Sequence, residues 1–135
     1  MQPRNLVLIL TSDLADKLAT AMFVVDHEGT LLYFNERAAD ILGRTFGDTG
    51  RLPADEWATM FDARHPDGRP MAPAELPLMR AITERHPSHL RFRITDVDGQ
   101  ERDIAVTAFP LFSHPDEFVG AAAIFWEEGL VGGTE

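Results

Sequence analysis

Residues 22–43, MFVVDHEGTLLYFNERAADILG, constrain the fold more than any other stretch of the chain. Two apolar runs, Met22-Phe23-Val24-Val25 and Leu31-Leu32-Tyr33-Phe34, flank the polar turn Asp26-His27-Glu28-Gly29. A polar loop closed by glycine between apolar runs reads as a tight hairpin. Neither run alternates apolar with polar residues, as a hairpin with one wet face would. Both faces of the sheet that these strands join must therefore be covered. Immediately afterwards Asn35 is placed to cap a helix, with Glu36 in its first turn. Gly43 follows Ile41-Leu42 where a left-handed residue ends one.

Bulk properties narrow the remaining choices. At 135 residues the chain is one domain. It is long enough to bury roughly 65–70% of its unfolded surface, and so folds without a metal or disulfide. It has no cysteine, which removes disulfides, thiolate metal sites and thiol catalysis, and suggests a reducing compartment. Its net charge of −10, from 22 acidic and 12 basic residues, argues against nucleic acid and against anionic membranes. Arg91, Arg93 and Arg102 are the nearest thing to a basic stripe, and alternate strand positions of this kind form a solvated face. Leu6-Val7-Leu8-Ile9-Leu10 is cut off by Thr11-Ser12-Asp13, too short for a signal core or a membrane span. A cytoplasmic location is expected.

Apolar residues recur at Leu6, Leu10, Leu14 and Leu18, with Val7, Ala15, Ala19 and Met22 alongside, as on one helix face. A helix is expected over at least Asp13 to Ala19, with Leu6 to Leu10 either its first turns or a short strand. Past Gly43 the chain is loop-rich to residue 72, with a short helix around Ala54 to Met60 carrying Trp57. HPDGRPMAP is turn chemistry throughout. A helix follows from about Ala74 to Arg85, its buried stripe Leu78, Met79 and Ile82. Leu90, Phe92 and Ile94 then alternate with His89, Arg91, Arg93 and Thr95. Asp98-Gly99 signals a hairpin into a strand over Asp103 to Phe112. The loop Ser113 to Glu117 leads to the last strand, Phe118 to Trp126. Strands before and after a helical block indicate an α+β fold, an antiparallel sheet with helices on one face.

This order, with these residues, resembles the PAS family of sensory domains over residues 20–127. VVDHEGTLLYFNERAADILG carries most of the resemblance, with Asp26, Gly29, Asn35 and Gly43 where the family has them. The Asp98-Gly99 hairpin and the closing FVGAAAIFW strand add to it. The chain is similar to a free-standing bacterial PAS module, with a fragment of a longer protein as the alternative, and the expected organisation is a helical cap or dimerisation segment at 1–19, the PAS domain at 20–128 and a disordered tail at 129–135. Where many PAS domains close on Asp-Ile-Thr, this sequence reads Glu127-Glu128-Gly129.

The resemblance implies a five-stranded antiparallel sheet cupping a cavity under its helices, a site for a small apolar or organic ligand. By alignment with the family, Phe23 and Val25 face that cavity from the first strand. Leu78, Met79 and Ile82 face it from the long helix. Leu90, Phe92 and Ile94 face it from the third strand. Ile104, Val106 and Ala108 follow on the fourth strand, then Ala121 and Ala123 on the last. The small inward alanines leave volume near the middle of the sheet. A packed core serving only protein interaction is the alternative.

No cofactor is specified. Without cysteine, a cysteine-linked flavin or chromophore is excluded. Haem is not expected either: His86-Pro87 reads as a helix end followed by a proline stop, and His89 falls on the polar side of its strand. No histidines have metal-ligand spacing on one element. No nucleophile, base and orienting group converge, so no catalytic residue is assigned. Asp26 reads as the acceptor that closes its turn, and Asn35 as a cap.

The outer face then carries Met22, Val24, Phe109, Ile124 and Trp126. The Leu6-Leu10-Leu14-Leu18 face is expected to lie on it, with a second copy completing the cover of so large an apolar stripe. The expected homodimer interface is therefore Leu6, Leu10, Leu14, Leu18, Met22, Phe109, Ile124 and Trp126. A signalling partner protein is the further expectation.

Overall fold

One carboxylate closes the first hairpin. Asp26 Oδ1 accepts the backbone N–H groups of Glu28 and Thr30, both at 2.9 Å. Gly29 takes the positive φ of 88° that the turn requires. This turn joins β1 (Ala21–Asp26) to β2 (Leu31–Phe34) in a computed structural model that describes residues 6–43 and 46–128. The remaining strands are β3 (Ser88–Thr95), β4 (Glu101–His114) and β5 (Glu117–Glu127). They form one antiparallel sheet in the order β2-β1-β5-β4-β3, with the first and last strands of the chain paired at its centre.

The helices are α1 (Leu6–Ala15), α2 (Glu36–Leu42), α3 (Phe46–Thr49), α4 (Ala54–Met60) and α5 (Pro77–Glu84). Asn35 caps α2 and Gly43, at φ 84°, ends it. A 3-10 turn at Pro73–Glu75 precedes α5, which starts on Pro77, so this helix is shorter than the expected 74–85. Its buried face is Pro77, Leu78 and Ala81, with Met79 and Ile82 only half-buried at its flank.

Strand parity separates two apolar layers. Inner residues such as Val25, Phe92, Ile94, Val106, Ala121 and Phe125 pack against α2, α4 and α5. Met22, Val24 and Ala122 face the other way, beneath Leu8 and Ala15 of α1. Covering both faces is what the unbroken apolar runs demand.

The helix covers the outer face, but not with the expected residues. Leu6, Leu10 and Leu14 are 65%, 56% and 54% exposed, and Leu18 lies exposed in the turn after the helix. Leu8 and Ala15 make the seat instead. The reason is relief: β5 offers Gly120, where a Cβ would come within 2.9 Å of Leu8 Cδ2, so only a shallow groove receives this helix. The expected span of Asp13 to Ala19 is also corrected. The helix closes at Ala15, where Lys17 and Leu18 N–H groups donate to the Leu14 and Ala15 carbonyls. Met22, assigned to the dimer interface, is 2% exposed under α1 and cannot meet a second copy. Phe109 and Ile124 are partly buried in the same layer, while Trp126 stays 39% exposed. The tail at 129–135, expected to be disordered, lies outside the described residues, as do residues 1–5.

Candidate functional site

Between the inner sheet face and the helices lies a cavity of about 90 Å³. The sheet contributes Phe23, Phe92, Ile94, Ile104, Val106, Ala123 and Phe125. The helices add Leu42, Trp57, Ala58, Pro77 and Leu78, and the 61–76 connection adds Phe61, Ala63 and Leu76. Every lining side chain is apolar except for the indole nitrogen of Trp57, and that Nε1 donates to the Gly29 carbonyl at 2.7 Å. Among the described residues no buried side-chain polar atom lacks a partner. A space lined this way offers water few hydrogen-bonding partners.

Aromatic rings shape its floor. Phe23 stacks on Phe34 with centroids 5.2 Å apart and meets Phe125 and Trp57 edge-on at 5.8 and 6.5 Å. One side wall is a strap. Arg64 exchanges both backbone hydrogen bonds with Arg93 at 2.8 Å, and Thr95 N–H donates to Phe61 O at 2.8 Å. These bonds extend the sheet by a short segment beside β3 and place Phe61 and Ala63 over the void.

Of the positions assigned to the cavity, Phe23, Leu78, Phe92, Ile94, Ile104, Val106 and Ala123 line it. Val25, Ala108 and Ala121 are buried in the same core without reaching the void, and Met79, Ile82 and Leu90 are partly buried against that core. Ile82 instead lies near Gly29, its Cδ1 3.5 Å from where a Cβ would stand. Phe125 shares the parity of Ala121 and Ala123, so its inward direction was readable. Leu42, Phe61, Ala63 and Leu76 carry no such periodic signal.

The polar surroundings are structural. Asp96 is buried, and accepts from Asp98 and Gln100 N–H and from Arg102 Nε, all at 2.9 Å. The Gln100 N–H first, and the Arg102 guanidinium second, hold its carboxyl below the usual aspartate value. Arg102 Nη1 also meets Glu127 at 3.0 Å. Arg91 pairs with Glu128 and Arg93 with Asp103, so each arginine of the supposed solvated stripe has an acidic partner. Glu127 and Glu128 meet different arginines and do not form a carboxylate pair.

His86 is exposed, and His89 bonds Thr107 Oγ1 at 2.7 Å on the opposite side of the sheet. Neither lines the cavity. The absence of cysteine rules out a cysteine-linked flavin. Among the described residues no three histidines or carboxylates gather as a metal site, and no helix is long and apolar enough to cross a membrane.

A family model described as the PAS domain matches residues 10–77. No curated protein sequence matches the chain. Among solved structures, the PAS domain of BvgS from Bordetella pertussis is similar at 20% identity and TM-score 0.68, covering 95% of this chain and 90% of that one. The PAS domain of a Colwellia psychrerythraea protein gives 18%, 0.63, 90% and 97% in the same order. A LOV protein of Rhodobacter sphaeroides gives 18%, 0.70, 92% and 68%.

Proposed function

The chain belongs to the PAS domain family of sensory and signalling modules, and from that premise we propose that it senses a small, uncharged, apolar molecule in the cavity under its sheet. One observation carries the reading: about 90 Å³ of space with an almost wholly apolar lining and its single indole N–H already engaged. Such a lining offers nothing to a carboxylate, phosphate or flavin edge, and would charge such a group its full desolvation cost. An apolar cavity of about 150 Å³ accepts benzene, which makes benzene an upper limit here. The protein acts by binding alone, without catalysis.

In the same reading it signals through a second copy. Leu6, Leu10 and Leu14 form a wet apolar row along α1, with Leu18 continuing it past the helix end. A two-fold axis along that row would bury it against itself. This dimer uses the outward leucines and not Met22, and it presents one combined surface to a signalling partner.

An NMR titration with benzene, and with benzoate as the charged control, tests the sensor. Benzene should shift Ile94, Ile104 and Val106 methyl resonances, and benzoate should leave them unchanged. Shifts confined to the surface, or equal shifts with both compounds, contradict the reading and leave a ligand-free interaction module.

A further inference from the structure

We propose that the strap carrying Phe61 and Ala63 is the door of the cavity, and that the His65–Glu75 pair is its latch. The inference deepens the proposed sensing by assigning the ligand's route, and it rests on that reading only for the ligand. Of the residues that line the void, all but Phe23, Phe61 and Ala63 are buried. Phe23 belongs to β1, which is hydrogen-bonded to β2 on one side and to β5 on the other, so this part of the wall is fixed. Phe61 and Ala63 lie on chain that joins the sheet only along the outer edge of β3. The thin and movable part of the wall is the strap.

The strap is a small hairpin. Met71 N–H donates to Ala63 O at 2.9 Å and His65 N–H to Arg69 O at 2.8 Å, around a turn with Gly68 at φ 95°. At its base Asp62 stands at φ 47°, a left-handed conformation that L residues adopt at a cost. One fastening is the backbone exchange between Arg64 and Arg93. A second is made by side chains. His65 Nε2 donates to Glu75 Oε1 at 2.8 Å, the oxygen that also accepts Ala72 N–H at 3.2 Å. Glu75 ends the 3-10 turn that leads into Leu76, a lining residue and the cap of α5. The pair therefore ties the hairpin to the start of the helical wall.

Its position suits a latch. The Glu75 side chain is 46% exposed, and surface ion pairs contribute little to global stability. Losing the pair should free the hairpin while the sheet stays folded, because weakly buried segments open locally at low cost.

Two measurements test the proposal. Amide hydrogen exchange at Arg93 and Thr95, whose N–H groups donate to Arg64 O and Phe61 O, reads opening of the strap. The rate at which benzene enters and leaves, read at the Ile94 and Val106 methyls, reports passage. His65→Ala should speed both about fivefold, with β4 and β5 amides and the benzene Kd unchanged. Glu75→Ala should act in the same direction, and adding His65→Ala to it should contribute less than about twofold more. Arg93 and Thr95 amides unmoved by His65→Ala, equal acceleration throughout β4 and β5, or two factors that multiply would overturn the latch.

A cross-link tests the door independently. The chain has no cysteine, so Arg64→Cys with Arg93→Cys introduces a single pair. These positions face each other in an antiparallel bridge, where Cα atoms about 5.5 Å apart lie within disulfide reach. The oxidised protein should exchange benzene at least about tenfold more slowly than the same protein reduced. Equal rates would place the route elsewhere and overturn the door. The cross-linked protein keeps His65 and Glu75, so it decides the matter even where a latch variant does not fold. If benzene does not bind at all, the sensor reading falls, while faster exchange at Arg93 and Thr95 in His65→Ala still supports a latched strap.

Discussion

Asp96 shows how a single residue sets the geometry around it. Its carboxylate ties the Asp98-Gly99 turn to Arg102, and Arg102 carries the link on to Glu127 at the end of β5. Because its folded-state value lies below the ordinary aspartate range, the stabilisation it provides is present above that range. That stabilisation is lost as pH falls through the depressed value. Asp96→Asn should therefore lower the melting temperature at neutral pH, and the gap from wild type should close in acid. Thermal melts of both proteins from neutral pH down to about pH 2 measure this. A gap that stays constant throughout would mean that the charge on Asp96 contributes nothing. The sequence marks Asp98-Gly99 as a turn, but nothing local marks Asp96 as buried. Its burial depends on Arg102 arriving from the next strand.

At the scale of elements, Gly120 decides how α1 docks. A Cβ at this position would stand 2.3 Å from Val25 O as well as 2.9 Å from Leu8 Cδ2. Gly120→Ala should cost about 1–3 kcal/mol by overpacking and should weaken the seat of α1. Chemical denaturation measures the first effect, and exchange at α1 amides the second. A variant as stable as wild type, with α1 equally protected, would contradict the assigned packing. The strands were legible because a period of two fixes which side chains share a face, as for Phe92 and Ile94 against Arg91 and Arg93. The face of α1 was not legible. The leucine period marks its most apolar side, and the relief of the sheet at Gly120 and Ala122 admits the side bearing Leu8. The strap wall of the cavity escaped for a related reason. Phe61 and Ala63 lie in irregular chain, and they are placed over the void by pairing of their segment with Arg93 and Thr95 in a distant strand, whereas Leu76 is brought there as the cap of α5.

For the whole molecule, the account joins an apolar void on one face to an apolar helix row on the other. The row predicts association: light scattering should give about twice the chain mass, and Leu10→Glu with Leu14→Glu should return it to the monomer. With a net charge of −10 on each chain, the dimer should strengthen as salt screens repulsion. A wild-type monomer at high micromolar concentration would remove the dimer and leave the cavity reading intact. The void itself is the central claim, and xenon, small enough to need no rearrangement, probes it most directly. Xenon-induced NMR shifts should appear at the methyls of Leu78, Ile94, Ile104 and Val106 in wild type. They should vanish in folded Ala123→Phe, whose ring fills the space. No shifts in wild type, or the same shifts in both proteins, would contradict the account.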